Sequence, residues 1–182
     1  MSSFVVRSVR ADEWRAAKGL RLAALRDPAA PIAFLETYEE AEARPDSFWQ
    51  ERVAAAAEGM RERQQIIAEG PDGEWVGNVV VLIEEAGTTD WAGFPVERKQ
   101  GHLVGVYMRP EHRGCGLTEV LFDEALEWAW AAGVERVRLL VHENNGRAGA
   151  FYRRVGFLAS GWTVPAPESV EGRELEFVID RP

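Results

Sequence analysis

The residues best suited to chemistry lie between Val104 and Leu126. An apolar strand there runs into a loop carrying Arg113, Gly114 and Gly116, and the loop opens into a helix with apolar residues at Leu117, Val120, Leu121, Ala125 and Trp128. Strand, glycine loop and helix together make an anion-binding arrangement. The first backbone N–H groups of a helix have no internal partner and carry the positive end of its dipole, and glycines let a phosphate approach them. Arg113 adds a permanent charge beside them. A Walker loop requires Lys and then Ser or Thr after its last glycine, whereas Leu117 and Thr118 follow Gly116. A dinucleotide fingerprint requires a third glycine where Glu119 stands, so it matches poorly.

A third kind of phosphate loop fits better. Arg113-Gly114-Cys115-Gly116-Leu117-Thr118 resembles the pyrophosphate loop of the GNAT N-acetyltransferase superfamily, departing from it only at Thr118, where the family has a small residue. A second stretch, Asn145-Gly-Arg-Ala148-Gly-Ala-Phe151-Tyr152-Arg-Arg-Val-Gly156-Phe157, resembles the superfamily's Asn-x-x-Ala-x-x-Phe-Tyr-x-x-x-Gly-Phe and follows after one helix and one strand. The close resemblance covers about residues 101 to 163. The N-terminal half agrees in the order of its elements only.

Acetyl transfer from a thioester to an amine needs a held cofactor, a deprotonated amine, a donor for the oxyanion and stabilisation of the departing thiolate. The resemblance implies acetyl-coenzyme A as cosubstrate, with its pantetheine arm on the unpaired backbone of Val106, Tyr107 and Met108. It places the diphosphate on the N–H groups of residues 114 to 118 beside the Arg113 guanidinium, and the Thr118 hydroxyl is expected to donate to it. Asn145 is expected to cap the second motif's helix and, with Phe151, to border the cofactor. Tyr152 matches the family's tyrosine near the cofactor sulfur, an O–H able to protonate the leaving thiolate. Counted back from Arg113, His102 falls where histone-acetylating members carry a catalytic glutamate and is the expected base, with His142 and Glu143 in reserve and ordered water as the alternative. The loop between the first two helices borders the acceptor pocket in this fold, which nominates Phe34, Thr37 and Glu40 as acceptor-binding residues.

Bulk properties narrow the function classes. The chain has 182 residues, 46% hydrophobic and 28% charged, which suits a single domain over 1–182 with a sizeable core. No apolar run approaches the roughly 20 residues of a membrane helix, and the N-terminus lacks the regions of a signal peptide, so a cytoplasmic protein without a membrane partner is expected. Net charge −9 argues against nucleic acid and is compatible with an amine arriving protonated. Cys115 is the single cysteine and fills the variable position of the loop; the three scattered histidines make no metal signature, so no metal is expected.

The remaining chain supplies the elements that position these groups. Phe4 to Arg10 reads as a first strand. Asp12 would cap a helix to about Arg26, residues 31 to 40 read as a loop or short helix, and Asp46 or Ser47 would cap a helix over Phe48 to Glu58. Gln65–Glu69 and Trp75–Glu84 read as antiparallel strands around Gly70-Pro-Asp-Gly73. Glu85 to Gln100 is irregular; its aromatics Trp91 and Phe94 either border a substrate site or pack as a hairpin tip. His102–Met108, Arg136–Val141, Phe157–Val164 and Leu175–Ile179 complete the strands, with Pro165 to Ser169 joining the last two. The order β-α-α-β-β-β-α-β-α-β-β is that of the GNAT fold, an α/β mixed, mostly antiparallel sheet with helices on both faces.

The function expected from the resemblance is acetyl transfer to a primary amine, with a small-molecule acceptor expected and a monomer or homodimer as the working unit. Protein N-terminal or lysine acetylation is the first alternative. A catalytically silent acyl-coenzyme A binding module is the alternative from another class.

Overall fold

Long apolar stretches cannot face water on either side, and the chain resolves this by stacking helices on both faces of one sheet. The computed structural model describes residues 3–90, 93–166 and 170–182. The strands are β1 (Val5–Ser8), β2 (Arg63–Glu69), β3 (Trp75–Glu84), β4 (Gln100–Met108), β5 (Arg136–His142), β6 (Leu158–Pro165) and β7 (Arg173–Asp180). They form one seven-stranded sheet in the order β1-β2-β3-β4-β5-β7-β6. Neighbours are antiparallel except β4 and β5, which run parallel.

The helices are α1 (Trp14–Leu25), α2 (Ala30–Ala33), α3 (Tyr38–Glu42), α4 (Asp46–Ala55), α5 (Leu117–Ala131) and α6 (Gly146–Arg154), with a 3-10 turn over Pro110–His112. On one face, Leu121, Phe122, Ala125 and Ala129 of α5 and Tyr152 of α6 pack onto Ile66, Val79, Leu103 and Leu139 of the sheet. On the other, Leu20 of α1 and Trp49 and Val53 of α4 pack onto Ile67, Trp75 and Tyr107. Alternation along β4 therefore sends Leu103 and Tyr107 to opposite sides. Among the described residues no helix is long and apolar enough to cross a membrane.

Tertiary partners moved several element ends. The N-cap of α1 is Glu13 and not Asp12, and it makes no side-chain cap, because both of its carboxylate oxygens accept from the Arg7 guanidinium at 2.7 Å. Helix α4 stops at Ala55, short of Glu58, whose N–H instead donates to Val9 O at 2.8 Å. The irregular segment after β3 packs as a hairpin tip, with a bridge between Thr89 and Pro95 and the Phe94 ring edge-on to Trp162 at 5.1 Å. Trp91 and residues 167–169 of the β6–β7 connection lie outside the described residues.

Candidate active site

A β-bulge opens the site. Val80 pairs with Val104 and Asn78 with Tyr107, so β4 carries an extra residue between them. Gly105 takes it up at φ +64°, a left-handed conformation that costs a side-chain-bearing residue about 1–2 kcal/mol. Its carbonyl is pinned by Asn78, whose Nδ2–H donates to Gly105 O at 2.7 Å, while Gln65 Nε2–H donates to Asn78 Oδ1 at 2.9 Å. Just before the bulge, β4 and β5 share only the rungs Gly101–Val137 and His102–Arg138. Past those rungs the strands diverge around a cleft of about 370 Å³, walled by Leu103–Met108 on one side and Leu139–His142 on the other. An extended ligand with amide groups can pair with backbone edges left open in this way.

The glycine loop closes one end of the cleft. Gly114 and Gly116 both have positive φ, and the space a Cβ would enter is open at each, with no heavy atom within 4 Å. An anion therefore has clear access to the first turn of α5. Gly114 and Thr118 line the cleft. Leu117 instead turns into the core, Gly116 serves as the N-cap of α5, and Cys115 is exposed with its Sγ–H donating to His112 O at 2.9 Å.

Arg113 lines the cleft beside Gly114 and is also paired within the fold. Its Nη2 meets Asp27 Oδ2 at 2.6 Å, its Nε donates to Met108 O at 2.8 Å, and its guanidinium lies 5.8 Å from the centre of the Tyr107 ring. Burial pushes the Asp27 carboxyl up, but the Ala29 N–H and Arg113 outweigh it and the net shift is downward. The Arg113 charge is thus matched within the fold. Arg147 on α6 is exposed, lines the cleft and forms no ion pair among the described residues. Sequence reasoning passed over it because it occupies an unspecified position of the second motif.

Helix α6 brings its motif residues to the far wall. Asn145 caps the helix, with Oδ1 accepting from Ala148 N–H at 3.3 Å, and also lines the cleft. Phe151 and Tyr152 both reach the cleft, and the Tyr152 ring stacks on Phe122 at 5.8 Å. The Tyr152 hydroxyl has no hydrogen-bond partner among the described residues, and burial raises its pKa well above the ordinary phenol value, so it stays protonated.

His102 falls outside the cleft. It occupies the last shared rung of β4 and β5, is 1% exposed, and its Nδ1 lies 3.3 Å from Glu84 Oε2. Glu84 also meets Arg138 at 3.1 Å, and Arg138 in turn meets Asp90 at 2.7 Å and Glu176 at 3.3 Å. The expected base is thus a member of a buried ionic network, because the rung that holds it leaves no room for a substrate. Burial pushes the Glu84 carboxyl up, but His102, Arg138 and Gln100 hold it down at about 2.

Of the reserves, His142 lines the cleft with both ring nitrogens engaged: Nδ1 accepts from Asn144 N–H at 3.1 Å, and Nε2 lies 2.8 Å from Glu171 O. Glu143 does not line the cleft; its Oε1 accepts from Arg173 N–H at 3.2 Å. A carboxylate that sequence reasoning missed stands there instead. Glu174 of β7 is registered opposite His142, lines the cleft and has no ion-pair partner among the described residues. Burial raises its pKa, with His142 pulling the other way. No motif marks it, since it reaches the site only through sheet register.

The acceptor-side nominations divide. Phe34 lines the cleft, with the Arg21 guanidinium 4.5 Å from its ring centre. Thr37 and Glu40 form a capping box: Thr37 Oγ1 accepts from Glu40 N–H at 3.2 Å, and Thr37 N–H donates to Glu40 Oε2 at 2.8 Å. Neither lines the cleft; Glu40 borders a separate outer recess.

Comparison with known proteins agrees with this architecture. Residues 21–157 match the model of the acetyltransferase (GNAT) family. A 60-residue stretch is 35% identical to the peptidyl-lysine N-acetyltransferase YjaB of Escherichia coli, covering 33% of this chain and 37% of that protein, so the chain spans well under half of that curated relative. PaiA N-acetyltransferase from Thermoplasma acidophilum, solved with coenzyme A, superposes with a TM-score of 0.72 at 17% identity over 98% of this chain and 99% of that one. YncA from Salmonella typhimurium, solved with acetyl-CoA, superposes with a TM-score of 0.72 at 16% identity over 98% and 94%. At such identities the structural likeness shows the fold, and the family match covers most of the chain. The protein is a member of the GNAT acetyltransferase family.

Proposed function

We propose that the chain is an N-acetyltransferase that moves the acetyl group of acetyl-coenzyme A to a primary amine by direct attack. The observation that carries this reading is the parting of β4 and β5 after two rungs, with the glycine loop at one end of the opening and the Tyr152 hydroxyl on its wall. Structures of PaiA with coenzyme A and of YncA with acetyl-CoA support the choice of cosubstrate. The residues present fit that molecule. The open edges of β4 and β5 suit an amide-bearing arm, and the unobstructed space over Gly114 and Gly116 suits a diphosphate.

When bound, the cosubstrate supplies an activated acyl carbon. The amine nitrogen bonds to it, the C–S bond breaks, and the amine's proton and the thiolate's missing proton must be handled by the chain. Glu174, partnerless and raised in pKa by burial, takes the proton from the incoming ammonium. Tyr152 gives or shares its proton with the departing thiolate, being held neutral by burial and positioned by Phe122 and Phe151. The backbone N–H groups of β4 near Val106 face the developing oxyanion. Arg113, Arg147 and the Thr118 hydroxyl, all on the cleft wall, supply the contacts to the phosphates.

A small-molecule acceptor is favoured because the space beside the cleft is divided into recesses by α1 to α4. The printed activity of YjaB favours a peptidyl-lysine acceptor as the second reading. A thiol-release assay with acetyl-coenzyme A and a panel of amines, amino acids, polyamines and lysine peptides tests both. Turnover is expected on free amines, and exclusive turnover on peptides would replace the small-molecule reading. Tight cofactor binding without any turnover would indicate a silent binding module.

A further inference from the structure

Resting on the transferase reading, we propose that the acceptor amine carries a carboxylate, and that Arg52 binds this group in the recess between α1, α4 and the sheet. The protein is acidic overall, with 30 Asp and Glu against 21 Lys and Arg, yet three arginines, Arg21, Arg44 and Arg52, gather on this one side of the cleft. Two carboxylates share their surroundings, and both are occupied. Glu36 bridges Arg21 at 2.8 Å and Arg44 at 3.2 Å, and Glu40 is turned back onto the Thr37 N–H. Arg52 is left without an ion-pair partner among the described residues, with its guanidinium 5.7 Å from the centre of the Phe48 ring.

Arg52 is accessible as a residue but stands in a concavity. Desolvation first, and then the Arg21 charge, lower its pKa, and an anion placed there offsets them by charge pairing. An independent observation comes from the recess wall. Trp49, 2% exposed, lines the same space, and its Nε1–H is buried with no hydrogen-bond partner. An indole N–H left unmatched costs stability unless something accepts from it. A carboxylate accepts from both groups, with the guanidinium fork suited to its two oxygens.

Position and size select the ligand class. Gly105, the bulge residue, lines both this recess and the main cleft, so the two spaces adjoin at the bulge. The inner recess holds about 40 Å³, room for a small group only, and the unpaired Arg52 guanidinium selects an anion over a second ammonium. Amino acids and related amino carboxylates meet these conditions.

The test compares paired acceptors, each amino acid against the amine that lacks its carboxylate, in the thiol-release assay with wild type, Arg52→Gln and Arg52→Lys. The carboxylated partner is expected to have at least about tenfold higher kcat/KM, with Arg52→Gln removing most of that ratio through KM and Arg52→Lys restoring it only in part. Equal kcat/KM for both partners, or a ratio unchanged in Arg52→Gln, overturns the proposal. Calorimetry of N-acetyl amino acids binding to the coenzyme A complex separates the two readings. Arg52-dependent binding without turnover of any amine would retain the recess and remove the transferase reading. Turnover of amines with neither carboxylate preference nor Arg52-dependent binding would do the reverse.

Discussion

Asp27 and Arg113 are 86 residues apart in sequence and 2.6 Å apart in space, and their contact ties the glycine loop to the turn after α1. The acceptor-side helices and the cofactor-side loop therefore share a fastening. Arg113→Ala is expected to loosen the loop and raise the apparent Kd for acetyl-coenzyme A at least about tenfold, in line with loss of a charged hydrogen-bonded pair. Asp27→Asn keeps a hydrogen-bond acceptor and should cost less. Calorimetry on both variants checks the order.

Arg147→Ala is expected to weaken acetyl-coenzyme A binding by about three- to tenfold and to reduce its dependence on salt, because an exposed cation acts through a screened field. Thr118→Val, which removes the hydroxyl and keeps the volume, should weaken binding similarly if that hydroxyl meets a phosphate. Titrations at low and high ionic strength separate the two effects.

Tyr152→Phe removes a hydroxyl that has no partner within the described fold. Its stability cost should therefore be small, while kcat falls by at least about tenfold with KM nearly constant. A fall in kcat matched by an equal loss of thermal stability would point to packing instead of chemistry.

Glu174→Gln should abolish most turnover and, with it, the acidic limb of the kcat/KM profile, which reports a carboxyl raised above its ordinary value. The same variant should be more stable than wild type at neutral pH. A carboxyl with a raised folded pKa binds its proton more tightly in the native state, so it lowers stability as pH rises from the unfolded pKa through the folded one. Denaturation at pH 4 and pH 7 checks the sign.

Glu84 should show the opposite dependence. Its folded pKa of about 2 lies below the ordinary 4.5, so its contribution is complete above 4.5 and lost as pH falls toward 2. Glu84→Gln should flatten the acid side of the stability curve. His102→Gln should disturb this network and lower the melting temperature, yet retain kcat within about threefold, a barrier change of roughly 0.6 kcal/mol.

The local parts of this protein could be read without coordinates. The glycine loop and its helix and most strands follow from contiguous patterns of residue type, because helix termini and amphipathic faces are set by neighbours a few residues away, whereas the cap at Asn145 and the aromatic pair Phe151 and Tyr152 came from the resemblance of the second motif. Trp75–Glu84 was recovered to its ends, and α5 to within one residue.

Tertiary structure decided what distant residues do to one another. His102 has the chemistry of a base, but the last rung between β4 and β5 buries it against Glu84. Arg113 has the charge for a phosphate and lines the cleft, while Asp27, far away in sequence, holds one of its guanidinium nitrogens. Glu174 carries no sequence signal and arrives opposite His142 only because β7 inserts beside β5. Residue type and local spacing fix which groups are available, whereas burial, register and long-range charge pairing set their exposure and protonation. Those three quantities depend on contacts between segments far apart in the chain, and so they appear only once the sheet is assembled.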